Sequence, residues 1–456
     1  MRIHLIAVGG SAMHNLAIAL SKKGHQITGS DDAIYEPSRS RLAKHQILPD
    51  EMGWYPEKIT EDIDAVILGM HAREDNPELQ KARQLGLSVY SYPEYVYEQS
   101  KDKLRVVVGG SHGKTTITSM ILHVLNTCGK QFDYLVGAQL DGFDTMVQLS
   151  DAPVIVIEGD EYLSSPIDRR PKFHLYKANI GVISGIAWDH INVFPTFENY
   201  VDQFKIFLDT IVEGGSIIYN AEDEVVRELV DKYEGSLDKV PYRTVENFTK
   251  NGVTYLNVSG KTFPLEVFGR HNLQNIEAAH HACTKIGIAD DEFYSAISTF
   301  KGAAKRLELL GKNISTAIYK DFAHSPSKLK ATIDAVKEQF PERELVAVIE
   351  LHTFSSLNRD FLNEYKGSMD KADVPVVFIS KQTFEQKKME PYGESLVKQA
   401  FGNGKLIFFN DHEILVEFLS YINYKSKNLL LMSSGNFGGI NLNLLADKAL
   451  MSKNIY

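Results

Sequence analysis

The sequence predicts an α/β protein made of three parallel-sheet units in series. Three observations predict it. Short apolar runs alternate with amphipathic helical stretches along the chain. The length of 456 residues suits about three domains of ordinary size. A glycine-rich turn, GGSHGKTT, joins an apolar run to a helix at the head of the middle unit.

The first unit is read as residues 1–101. IHLIAV is a buried strand, followed by Gly9, Gly10 and a helix. Met13, Leu16, Ala17 and Leu20 share one helical face, and Gly24 stops it. HQIT, DAVILGM and LSVYSY are further strands, with a helix ending near Leu85. The polar stretch EQSKDK reads as a linker.

The second unit, 102–303, opens with RVVV and the glycine turn. Ile117, Met120, Ile121, Val124 and Leu125 mark one face of the next helix, stopped by Gly129. VIVIE, IGVIS and SIIYN are strands, and a helix follows from Asp223. The region from Gly235 to Phe268 alternates and turns often, as a small antiparallel insert would. GRHNLQNIEAAHHAC reads as a helix. KRLELLG marks the boundary of the third unit, 304–456, where LVAVIEL, VPVVFIS, LIFF and NLLLMSS are four strands.

The net charge of −10 argues against a nucleic-acid or anionic-membrane surface. Two cysteines, Cys128 and Cys283, form neither a disulfide framework nor a metal spacing, so a cytoplasmic, reducing setting is expected. MRIHLIAVGG is not patterned as a signal peptide, and no run has the roughly 18 apolar residues of a membrane span.

GGSHGKTT lacks the first glycine of the full P-loop pattern, because Val108 stands there. The context of strand, glycine turn and helix N-terminus still makes a phosphate cradle of backbone N–H groups. Lys114 would neutralise phosphate charge, and the Thr115 hydroxyl would ligate Mg²⁺. Glu158, at the end of VIVIE, stands where parallel sheets place ligands and could hold a metal; alone it also reads as a solvated acid. His190, in WDH, is by itself more often structural, and Mg²⁺ prefers oxygen.

AVGGSAM lacks G-x-G-x-x-G spacing, yet Asp31 lies about 20 residues on, where a carboxylate meets a ribose in dinucleotide folds. In DFAHSPSKLKA, Asp321 and His324 precede a helix with Ser325 as cap and Pro326 at its first position. Read alone this is a structural turn, though Asp321 could also touch a phosphate-bound metal or water.

Taken in order, GSHGKTT, EGDEY, the DH pair at Asp189 and His190, GRHNLQNIEAA, KRLELLG and DFAHSP resemble the Mur ligases over essentially the whole chain. The resemblance implies a Rossmann-like UDP-binding domain, a P-loop-type central ATPase domain and a Rossmann-like C-terminal domain. It implies an ATP- and Mg²⁺-dependent, ADP-forming ligase acting on UDP-N-acetylmuramate and an amino-acid or peptide amine, as a monomer or weak homo-oligomer. It implies that ATP is bound by Gly110, Ser111, His112, Gly113, Lys114, Thr115, Thr116, His271, Asn272, Asn275, Arg306, Asp321 and His324. Metal ions fall to Thr115, Glu158 and His190, catalysis to Lys114, Glu158, His190 and Arg306, and the UDP moiety to Gly9, Gly10, Ser11 and Asp31.

Within the family, EGDEY, the DRRPKFHLY run and the ending MSSGNFGGI resemble the branch that adds L-Ala-γ-D-Glu-meso-diaminopimelate in cell-wall recycling. The L-alanine-adding branch is the alternative; its relatives usually carry Ser-Asp where Tyr162 and Leu163 stand. Ala7, Gly185, Lys305 and Ser325 depart from family residues, and ELHTFSSL departs in the amine-binding domain. A dehydrogenase is disfavoured by the broken glycine spacing. A non-catalytic nucleotide binder is disfavoured by Lys114, Thr115, Glu158 and His190 occurring together.

Overall fold

The strand Arg2–Ile6 is flanked on both sides by parallel partners, Gln26–Ser30 and Ala65–Leu68, with Val89–Ser91 beyond the latter. The four strands read near the start of the sequence thus form one parallel sheet. The computed structural model describes every residue except 141, 189–192, 304–305 and 452–456. By packing, the chain divides into two units: 1–243 with 275–297, and 244–274 with 298–456.

The first of these units also holds a seven-stranded sheet. Its order is Asp238–Tyr242, Ser216–Asn220, Ile180–Ile183, Leu104–Gly109, Val154–Glu158, Asp133–Leu135 and Val147–Gln148. All neighbours are parallel except the last pair. Val106, Val107, Val108, Ile155, Val156 and Ile157 are fully buried, which explains continuous apolar runs rather than alternation. The stretch EQSKDK is tied down more than a free linker. Arg105 Nη1 donates to the carbonyls of Ser100, Lys101 and Lys103 at 2.7–3.0 Å.

The second unit contains an antiparallel sheet, Asn247–Lys250, Val253–Val258 and Lys261–Leu265, where the insert was expected. The insert is shorter than predicted, because Asp238–Tyr242 pairs in parallel with Ser216–Asn220 instead. The second unit's main sheet has six strands rather than four. Its order is Glu308–Lys312, Ala317–Asp321, Lys427–Met432, Glu344–Glu350, Val374–Phe378 and Ile407–Phe409. Glu308–Lys312 is an antiparallel edge strand with a bulge between Leu309 and Gly311, and its polar ends hid it from a search for apolar runs.

The helix Pro326–Gln339 starts at the predicted residue, but Ser325 makes no side-chain capping bond. Both cysteines are free thiols, and Cys283 is fully buried. No helix among the described residues is long and apolar enough to cross a membrane.

Candidate active site

The strand Leu104–Gly109 ends in a turn that needs two glycines. Gly110 has φ +130° and Gly113 φ +82°, both in the region that favours glycine. A Cβ on Gly110 would lie 2.1 Å from Ser184 Oγ, and one on Gly113 would lie 2.6 Å from Asn275 Oδ1. The turn is thus drawn tight against Ser184 and Asn275. It delivers the chain to the N-terminus of the helix Lys114–Thr127, whose first N–H groups and dipole favour an anion.

Lys114 Nζ donates to Gly110 O at 2.6 Å and to Glu161 Oε2 at 2.7 Å. Burial works against the ammonium charge. The carboxylates of Glu161, Asp160 and Glu158 outweigh it and hold the lysine pKa above its ordinary value. Glu161 itself is 1% exposed and accepts a second bond from Tyr200 OH at 3.3 Å. Tyr200 OH also shares a hydrogen bond of 2.9 Å with Ser111 Oγ, which accepts from Ala187 N at 2.8 Å. Ser111 therefore sits in an internal chain, Ser111–Tyr200–Glu161–Lys114, that sets the lysine's position.

Sequence patterning gives Glu161, within EGDEY, no role of its own and does not distinguish Tyr200. Tyr200 comes from the helix Phe197–Thr210, far along the chain, and only its buried hydroxyl reveals it.

Thr115 Oγ1 donates to Glu158 Oε1 at 2.7 Å, and Glu158 Oε2 accepts from Gly137 N at 2.7 Å. Two oxygen donors thus face one another beside the lysine, the donor chemistry that Mg²⁺ takes. The cradle and this oxygen pair fit a magnesium nucleotide. Thr116 is buried in the first turn of the helix. A Cβ at Gly185 would lie 2.4 Å from His112 Cε1, so the His112 imidazole fills the space a longer residue there would take. His190, Asp189 and Lys305 lie outside the described residues.

Asp160 belongs to the same cluster. Burial would raise its pKa, but the charges of Lys172 and Lys114 carry it down to about 2. Lys172 Nζ donates to Asp160 at 2.6 Å. Lys172 N donates to Tyr162 O at 3.0 Å, and Leu163 bridges Pro171. The run 160–172 is a closed excursion from the end of the Val154–Glu158 strand.

In the second unit, His271, Arg306 and Asp321 are neighbours. Burial lowers the His271 pKa, with Asp321 raising and Arg306 lowering it. Both Asp321 oxygens serve the backbone: Oδ2 accepts from Leu307 N at 2.8 Å and Oδ1 from Ala323 N at 2.7 Å. Asp321 thus holds the local turn through both of its oxygens. The Arg306 guanidinium lies over the Phe322 ring, 4.8 Å from its centroid, and His324 Nδ1 bonds Phe322 O at 2.8 Å. Asn272 Nδ2 donates to Phe268 O at 2.8 Å at the start of the helix Arg270–Ile286.

At the N-terminus, Asp31 Oδ2 accepts from Gly9 N at 2.7 Å, and a Cβ on Gly9 would lie 2.9 Å from that oxygen. Gly10 caps the helix Ser11–Lys22, and Ser11 Oγ lies 3.9 Å from Met146 Sδ. Gly9 and Asp31 are brought together, with the carboxylate holding the turn. Ala7 has φ +64°, so the position that departs from glycine keeps a glycine-like backbone.

Three family descriptions match the chain in order. They are the Mur ligase family catalytic domain over residues 2–103, the Mur ligase middle domain over 108–283, and the Mur ligase glutamate ligase domain over 305–435. A UDP-N-acetylmuramate--L-alanine ligase of Caldicellulosiruptor saccharolyticus is 31% identical over 389 residues, 82% of this chain and 83% of the relative. The UDP-N-acetylmuramate--L-alanyl-gamma-D-glutamyl-meso-2,6-diaminoheptandioate ligase of Haemophilus influenzae is 26% identical over 459 residues, 97% of this chain and 98% of the relative.

Among solved structures, UDP-N-acetylmuramate-alanine ligase from Thermotoga maritima shares the fold, with a TM-score of 0.69 at 21% identity. That match covers 99% of this chain and 100% of the other. The three domains and the lysine-bearing cradle define a nucleotide-dependent ligase. The chain belongs to the Mur ligase family, the ATP-dependent, amide-bond-forming ligases of peptidoglycan synthesis.

Proposed function

We propose that the chain joins UDP-N-acetylmuramate to L-Ala-γ-D-Glu-meso-diaminopimelate through an acyl phosphate, in cytoplasmic peptidoglycan recycling. Residues 1–101 bind the UDP substrate, 102–303 bind ATP, and 304–456 take the amine substrate and part of ATP. The observation that supports ligase chemistry is the cluster of Lys114, Thr115, Glu158 and Glu161 around the cradle.

Two anions, the muramate carboxylate and the γ-phosphate, must meet. Lys114 offsets their repulsion, and the backbone N–H groups of Gly110 to Gly113 orient the phosphates. Thr115 and Glu158 would hold Mg²⁺, with His190 serving a second ion directly or through water; a bound metal would supply charge stabilisation for the transferred phosphoryl oxygens. Glu161 and Tyr200 hold the Lys114 ammonium in position. His271, Asn272 and Asn275 bind the adenine end of ATP. Arg306, Asp321 and His324 act on the nucleotide, with Arg306 following closure that keeps water from the acyl phosphate. Gly9, Gly10, Ser11 and Asp31 receive the UDP moiety.

The tripeptide is favoured by the run 160–172. Its Tyr162-Leu163 pair and the DRRPKFHLY segment it leads into, residues 168–176, resemble the tripeptide branch, and its Lys172–Asp160 pair ties it to the Lys114 cluster. L-alanine is the second reading, favoured by the 31% identity to the Caldicellulosiruptor enzyme. Phosphate release with ATP, Mg²⁺ and UDP-N-acetylmuramate separates them. Release with the tripeptide and not with L-alanine is expected; release with L-alanine alone overturns the amine assignment.

A further inference from the structure

The helix Arg270–Ile286 carries a second polar cluster that the ligase reaction does not use. Glu277, His280 and His281 each place one donor atom so that all three lie within 4.8 Å of one another. Their spacing, i, i+3 and i+4, puts them on one face of the helix. Asn275 Oδ1 lies by Gly113, whereas this cluster meets the helix Asp290–Ile297.

The hydrogen bonds set the ring nitrogens apart. His280 Nε2 bonds Asp290 Oδ1 at 2.9 Å, and His280 Nδ1 lies 3.8 Å from Glu277 Oε2. Nε2 is engaged by Asp290, so Nδ1 is the nitrogen turned toward Glu277 Oε2 and Tyr294 OH, 3.8 Å and 3.3 Å away. A carboxylate behind a histidine whose other nitrogen faces a ligand site is the arrangement that orients and strengthens metal-binding imidazoles. Glu277 is itself oriented by Tyr294 OH, which donates to its Oε1 at 3.0 Å and leaves Oε2 toward the histidines. Glu277 and His280 are 15% and 13% exposed, shielded yet open to an ion.

We infer that Glu277, His280 and His281 form a binding site for a borderline divalent transition ion, with Zn²⁺ as its best match. Two imidazoles and one carboxylate, with water as a fourth ligand, suit tetrahedral Zn²⁺. The same set suits Mg²⁺ poorly, because that ion favours oxygen. The site joins the helix Arg270–Ile286 to Asp290–Ile297 through Asp290 and Tyr294, and it is independent of which amine the enzyme uses.

The test is a Zn²⁺ titration of the metal-stripped full chain against a chromophoric chelator. The wild type, His281→Ala and Glu277→Gln are compared, with His45→Ala as a control. The wild type and His45→Ala bind one Zn²⁺ at least tenfold more tightly than the other two. Co²⁺ in the wild type gives the intense visible bands of a four-coordinate ion, which His281→Ala lacks. Mg²⁺-dependent ADP formation is unchanged in His281→Ala. Zn²⁺ affinity equal across all four proteins overturns the site, as does the same Co²⁺ spectrum in wild type and His281→Ala. Where His281→Ala fails to fold, Glu277→Gln, which can still accept from Tyr294, decides the question.

Discussion

Replacing Lys114 by Met removes the cation that faces Glu161 and leaves a carboxylate that is 1% exposed without its charge partner. Taking one member from a buried ion pair costs about 3–5 kcal/mol, because the remaining charge stays desolvated. Tyr200 still donates to Glu161, and Lys114 is 15% exposed, so the lower end applies. The expected loss is about 3 kcal/mol, roughly 150-fold in the folding equilibrium. Adding Glu161→Gln removes the stranded charge and keeps an acceptor for Tyr200, so it restores about 1–2 kcal/mol. Both tryptophans, Trp54 and Trp188, belong to the first unit, so their fluorescence during urea unfolding reads that unit. ADP formation is absent from both variants. A Lys114→Met protein that unfolds at the wild-type urea concentration refutes the pairing. So does a Glu161→Gln change that deepens the loss.

Gly110→Ala forces a Cβ to 2.1 Å from Ser184 Oγ at φ +130°; a loss of about 2–4 kcal/mol and of ADP formation is expected in the same two assays. Ala7→Gly relieves a left-handed alanine against added unfolded-chain entropy, so stability rises by up to about 1 kcal/mol; a clear decrease in the urea midpoint contradicts this. Asp31→Ala removes the acceptor for Gly9 N and raises KM for UDP-N-acetylmuramate about tenfold at unchanged kcat, whereas unchanged KM removes Asp31 from the substrate site. Asp160 has a folded pKa of about 2 against 3.8 unfolded. Its contribution is therefore full above about pH 4 and lost as pH falls toward 2. Lys172→Met should flatten that acid limb in urea midpoints measured from pH 5 to 3, and an unaltered limb would count against the Asp160–Lys172 pair.

The buried strands were legible because parallel sheets covered on both faces demand unbroken apolar runs, as in RVVV and VIVIE. The glycine turn was legible because backbone conformation at Gly110 and Gly113 selects the residue type. Glu308–Lys312 and Asp238–Tyr242 were not, since edge strands are half solvated and carry charge without cost. The side-chain pairings of the candidate site split the same way. Lys114 and Thr115 are neighbours in sequence and in space, whereas Tyr200 reaches Glu161 only through the packing of a distant helix. Asp31 shows a third case: its position at a strand end was readable, but its bond to Gly9 depends on how closely the turn folds back. The domain boundaries and the site roles draw on the family resemblance, which local patterning does not supply.

The carboxylates around Lys114 have a chemical consequence beyond placement. An acyl phosphate is an acylating agent, and in the proposed mechanism Lys114 is an amine of the enzyme that stands beside it. An amine attacks only through a free lone pair. Glu161, Asp160 and Glu158 keep that lone pair occupied by a proton. In the proposed mechanism the cradle is thereby protected from its own acyl phosphate, and the acyl group is left for the incoming substrate amine.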